Sequence, residues 1–128
     1  MPFVEIFVSP GTARAACDAI GAGVHDALVA AVDVPPADRF QVINVQTDGA
    51  MVWDRTYLDV DRSANAVFVR ITLAAGRSDA KKRALYAAIT ANLERDAGVR
   101  PEDVLILLCE NARVDWSFGN GIAQYVPN

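Results

Sequence analysis

The apolar positions of this chain follow a strand rhythm, then a helical one, and then both again. Residues 3–8 are a β-branched and aromatic run that predicts a strand, and Ser9-Pro10-Gly11 breaks it. A helix follows, for which Thr12 is the candidate cap. Ile20, Val24 and Leu28 make its apolar stripe at four-residue spacing, and it runs to about Asp33. Pro35-Pro36 stops it, and residues 39–45 return as a strand. Residues 66–74 then read as a strand broken at Ala75-Gly76-Arg77. Ser78 caps a helix within 79–97, Gly98 ends it, and Pro101-Glu102-Asp103 leads into a strand over 104–110.

The two halves match at one offset of 65 residues. Gly11 falls on Gly76, Val34 on Val99, Pro36 on Pro101 and Asp38 on Asp103, and apolar positions such as Val4 and Val69 or Leu28 and Leu93 agree in the same register. One β-α-β unit therefore occurs twice, at about 2–46 and 66–111, within a single domain spanning 1–128. Each unit joins parallel strands by a helix on one sheet face. The expected fold is α/β: a four-stranded sheet with two helices on one face. The other face stays bare until a second or third subunit covers it. Residues 47–65 are too long for a tight turn and read as a loop that closes over a site or reaches a neighbour. In the tail, 112–128, Gly119-Asn120-Gly121 predicts a hairpin.

Composition narrows the function. A hydrophobic fraction of 52% supplies a core, and the net charge of −4 argues against nucleic acid, which needs clustered Lys and Arg. No apolar run approaches the ~20 residues of a membrane span, and no basic segment precedes the apolar N-terminus as in a signal peptide. Cys17 and Cys109 form no CxxC and fit a cytoplasmic protein with reduced thiols. His25, the one histidine, reads as a helix-surface residue. With no clustered cysteines there is no metal pattern, and neither glycine-rich piece leads from a strand into a helix as a phosphate loop must. No metal or cofactor is expected.

Pro2, the doubled β-α-β unit and the run Asp115-Trp116-Ser117-Phe118-Gly119 resemble the malonate semialdehyde decarboxylase group of the tautomerase superfamily. The matching stretches include residues 34–41, Arg62-Ser63, Leu93-Glu94-Arg95-Asp96, residues 101–104 and Glu110-Asn111, so the similarity covers nearly the whole chain. It implies a homotrimer with the amino-terminal proline in an apolar pocket. It makes Asp38 the acid that activates water or orients substrate, although Asp103 at the matching place shows that a turn role also suits this position. Arg77 would clamp the carboxylate of a small-molecule substrate. Trp116 and Phe118 would wall the pocket, with weaker claims for Arg70 and Tyr125. The decarboxylase has two arginines one residue apart at the start of the second helix. Here Ala75-Gly76-Arg77 keeps only one, and Arg70 is the nearest substitute in sequence.

The chemistry follows from the amine. An α-amine titrates near pH ~7.7–8.0, so a terminal proline nitrogen serves as base, acid or nucleophile near neutrality once Met1 is removed. As a secondary amine it forms an iminium that accepts the electrons released when a 3-oxo acid loses carbon dioxide; without covalent bonding, the protonated nitrogen polarises the same carbonyl instead. Three readings stand: decarboxylation or hydration of small oxo or unsaturated acids, keto–enol tautomerism of 2-oxo acids, and a non-catalytic trimer that binds a ligand or partner.

Overall fold

The computed structural model describes every residue from Met1 to Asn128. Its regular elements are β1 (Pro2–Val8), α1 (Arg14–Val32), β2 (Gln41–Val45), β3 (Val67–Ala74), α2 (Asp79–Ala97) and β4 (Val104–Asn111). The sheet order is β2-β1-β3-β4. Within each unit the strands are parallel, β1 to β2 and β3 to β4, while β1 and β3 meet antiparallel. Alternate residues of the central strands (Val4, Ile6 and Val8; Val67, Val69, Ile71 and Leu73) turn to one face. There they join Ile20, Val24 and Leu28 of α1 and Leu85, Ile89 and Leu93 of α2 in a single core. Both helices thus lie on one side of the sheet, as the repeat predicts.

The repeat has a geometric consequence in the middle of the sheet. Glu5 and Arg70 stand one repeat apart and are register partners in the β1–β3 ladder. They mark the local two-fold axis that relates the two units. Arg70 donates to both oxygens of Glu5, at 3.0 and 2.9 Å. The hydrogen bond to the guanidinium holds the Glu5 carboxyl below its usual range and raises the arginine. Both side chains lie on the helix-free face.

Helix ends differ in part from the sequence expectation. Ser78 caps α2 by accepting from the Lys81 N–H at 3.2 Å, and left-handed Gly98 closes it. Thr12 does not cap α1. Its hydroxyl turns back to the Ser9 carbonyl at 2.6 Å, and Ala13 is the cap residue, with no side-chain bond. α1 stops at Asp33, which takes the left-handed conformation at φ 60°, so Pro35-Pro36 follows the stop and does not cause it. The tail holds no hairpin. A short turn at Arg113–Asp115 is followed by three consecutive positive-φ residues, Gly119, Asn120 and Gly121. The Gln124 amide, bound to the Phe118 N–H and the Gly119 carbonyl, takes up the groups a partner strand would have used. α1 is also more apolar than the sequence reading allowed. By length and composition it could cross a membrane, but half of that window is buried inside the fold, and its stripe is core.

Two glycines inside α1 are there for contact. A Cβ on Gly23 would sit 3.0 Å from Leu93 Cδ1 and 3.2 Å from Asn92 Cβ, and Asn92 donates to the Gly23 carbonyl at 2.9 Å. Glycine costs a helix interior about 0.5–1 kcal/mol relative to alanine, a cost offset here by the close approach of α1 and α2. Gly23→Val should therefore lower stability by about 1–3 kcal/mol through overpacking. A shift of the urea midpoint at unchanged slope measures it.

The helix-free face carries Phe3, Val42, Leu105 and Leu107, each more than a third exposed. The 47–65 loop covers part of it, with Trp53 set edge-on against Phe68 at 5.8 Å. Farther out, Val52, Tyr57 and Leu58 of this loop stay largely exposed.

Candidate active site

The start of β1, the ends of β3 and β4 and the turn into β2 lie at one end of the sheet, because β1 and β3 run antiparallel and each is parallel to its outer neighbour. Pro2 is buried there, opposite Leu73. Met1 precedes it and is only 8% exposed. The Met1 amine donates to Asp38 Oδ2 as an ion pair. Asp38 stands in the turn between α1 and β2, where its N–H reaches the Pro35 carbonyl at 2.9 Å. Its side chain is 9% exposed. The second carboxylate oxygen, Oδ1, is buried with no hydrogen-bond partner. An unsatisfied buried acceptor costs about 1–3 kcal/mol, and the few such groups in native folds call for a reason.

Arg77 follows Gly76, whose φ of 125° turns the chain out of β3. Its guanidinium donates through Nη1 to the Ala74 carbonyl at 2.9 Å and through Nε to the Val32 carbonyl at 3.4 Å. It thus ties the end of β3 to the end of α1 and keeps Nη2 without a protein partner. Ala74 pairs with Asn111 across the β3–β4 ladder. Asn111 in turn accepts from Trp116 Nε1 at 2.7 Å. Trp116 stacks on Phe118 with ring centroids 5.6 Å apart and planes 12° apart. Tyr125 meets Phe118 edge-on at 5.4 Å.

The structure therefore brings Asp38 to the chain terminus beside Pro2, and links Arg77 through Ala74 and Asn111 to the cluster of Trp116, Phe118 and Tyr125. It does not bring Arg70 there: Arg70 lies on the helix-free face, bound to Glu5. Arg39 pairs with the Gln41 side chain and not with an acid. Two residues escaped the sequence reading. Phe40 contacts Phe118 at 5.6 Å and joins the aromatic cluster to the Asp38 turn; its place two residues after Asp38 was the available signal. His25 is not on the helix surface. It is 7% exposed, and its Nε2 lies 2.8 Å from the Pro36 carbonyl. A cavity of about 460 Å³ is at the opposite end of the sheet, lined by Val8, Ser63, Val67 and Asp103 among others.

Comparison with known proteins identifies the family and the fold. The family model described as tautomerase enzyme matches residues 38–119. The probable tautomerase YusQ of Bacillus subtilis (strain 168) is 36% identical over 126 residues, covering 98% of this chain and 99% of its own. This chain belongs to the tautomerase family. A crystal structure of FG41 malonate semialdehyde decarboxylase inhibited by 3-bromopropiolate superposes with a TM-score of 0.91 at 36% identity, covering 96% of this chain and 93% of that one. A fused 4-OT wild-type symmetric trimer shares the fold at a TM-score of 0.78 and 22% identity, covering 94% of each chain. The chain is thus a tautomerase-family enzyme, with Pro2 at the head of β1.

Proposed function

We propose that this tautomerase-family enzyme, once Met1 is removed, uses the Pro2 amine to decarboxylate a small 3-oxo carboxylic acid, with hydration of the related unsaturated acid as a side activity. The observation that carries this reading is Asp38: buried, touching the chain-terminal amine through Oδ2 and leaving Oδ1 unpartnered. Successive Cα atoms are about 3.8 Å apart. Loss of Met1 moves the terminal nitrogen back by roughly that distance and frees the volume of its buried side chain. A three-carbon substrate then fits between Pro2 and Asp38. Arg77 Nη2 takes its carboxylate, and the Phe40–Trp116–Phe118–Tyr125 cluster keeps water away, which strengthens the charge interactions inside.

The steps balance without a cofactor. Asp38 takes a proton from the Pro2 ammonium; the freed nitrogen attacks the carbonyl carbon, its remaining N–H proton passes to the carbonyl oxygen, and Asp38 returns its proton as that oxygen leaves as water. The carboxyl carbon–C2 bond breaks, carbon dioxide leaves, and its electron pair flows into the iminium to give an enamine. C2 takes up a proton, and water, activated by Asp38, hydrolyses the iminium and restores the amine.

We place the enzyme in the cytoplasm as a homotrimer. The exposed apolar face of Phe3, Val42, Leu105 and Leu107 supports the assembly, and the fused 4-OT trimer has this fold. The free thiols of Cys17 and Cys109 fit a reducing compartment. A second reading has one observation in its favour. By the resemblance, Ala75 stands where the decarboxylase group has its second arginine. A single arginine suits a tautomerase that moves one proton of a 2-oxo acid and breaks no carbon–carbon bond.

Proton NMR separates the two readings. Acetaldehyde growing from 3-oxopropanoate, in step with enzyme concentration, is the expected result. Loss of the C3 proton signals of a 2-oxo acid in deuterium oxide, with 3-oxopropanoate untouched, would establish the tautomerase instead.

A further inference from the structure

The turn that carries Asp38 is tied to α1 on both sides of that residue. Upstream, His25 Nε2 lies 2.8 Å from the Pro36 carbonyl. A carbonyl only accepts, so Nε2 is the donor. Downstream, the Gln41 amide donates to the Gly21 carbonyl at 2.8 Å. His25 and Gly21 are four residues apart, on one face of the helix. A Cβ on Gly21 would come within 2.9 Å of Gln41 Oε1, so the helix and the returning chain are in close contact there.

The second unit is an internal control. Asp103 occupies the place of Asp38, and Thr90 that of His25. Thr90 bonds to Tyr86 of its own helix and does not reach Pro101. Asp103 needs no such support. It takes the Ser63 N–H at 2.7 Å and the Ser63 hydroxyl at 2.6 Å, with Arg100 3.7 Å away. The aspartate whose carboxylate is fully partnered sits in a turn without the clamp. The aspartate that keeps one oxygen unpartnered sits in a turn held by the backbone carbonyl of Pro36.

We infer that His25 is a positioning residue: by fixing the Pro36 carbonyl it holds Asp38 against the terminal amine without using the carboxylate itself. This rests on the reading of Asp38 and Pro2 given above, so its test includes a readout that needs no turnover. His25→Met keeps the bulk and loses the donor. His25→Gln keeps a donor N–H at the place of Nε2. The expected result for the Met variant is a kcat lower by about tenfold with KM within twofold, because Arg77 is untouched. The rate at which the terminal amine is alkylated by a small aldehyde and cyanoborohydride should move at least half-way to the Asp38→Asn value. The Gln variant should return both to within twofold of the parent. Met and Gln variants that behave alike in kcat and in amine alkylation would overturn the proposal. If the parent enzyme turns over nothing, the reading of function fails, and the alkylation rates still decide the role of His25 by the same criterion. Should the Met variant not fold, His25→Asn replaces it, since its amide is one methylene too short to reach Pro36.

Discussion

Protein purified with Met1 still attached is expected to turn over no substrate above background, and removal of Met1 alone restores activity. In the Met1-bearing chain the Pro2 nitrogen is part of a peptide bond, and resonance withdraws its lone pair. It can neither attack a carbonyl nor take a proton. The Met1 amine does not replace it. It is primary, it is held on Asp38 Oδ2, and its own side chain, 8% exposed, fills the space a substrate needs. General acid–base catalysis alone contributes about 10²–10⁴-fold, and here the nucleophile is lost as well. A fall in kcat/KM of at least ~10³-fold is expected, equivalent to about 4 kcal/mol of transition-state stabilisation. Intact-mass measurement fixes which form is present, and the NMR assay reads its rate. Activity undiminished in the Met1-bearing form would place the chemistry away from Pro2.

The fold was legible because the chain states it twice. Period-two and period-four apolar patterns gave the strands and helices, and the 65-residue offset aligned them. The register is finer than the pattern: only the structure shows that Glu5 and Arg70, one repeat apart, face each other across the two-fold axis. That pairing removes Arg70 from the site. Its face was readable in advance, since Val69 and Ile71 alternate with it and point to the core. What the sequence could not show was contact between distant segments. His25 is one position beside the Ile20–Val24–Leu28 stripe, and its burial depends on Pro36 folding back over α1. Phe40 joins the aromatic cluster only because the tail returns to the Asp38 turn. Gly119-Asn120-Gly121 has hairpin composition, yet the Gln124 side chain supplies the bonds, and no strand forms.

Alanine at the two aspartates one repeat apart should divide function from stability. Asp38→Ala is expected to lower kcat by about 10²–10⁴-fold and to change stability little. The variant removes a buried carboxylate of which one oxygen has no partner, and once Met1 is gone the other has lost its ion pair with the Met1 amine, so little stabilisation is forfeited. Asp103→Ala should do the reverse. It strands the Ser63 N–H and hydroxyl beside Arg100 and costs about 1–3 kcal/mol, while kcat stays within twofold, because the two carboxylates lie at opposite ends of the sheet. Urea midpoints and NMR rates on both variants make the comparison. If Asp38→Ala lost stability as Asp103→Ala does and kept its kcat, Asp38 would be a turn residue like its counterpart. The crossed outcome means that the same turn position carries a carboxylate in both units, once satisfied within the fold and once left open for a substrate.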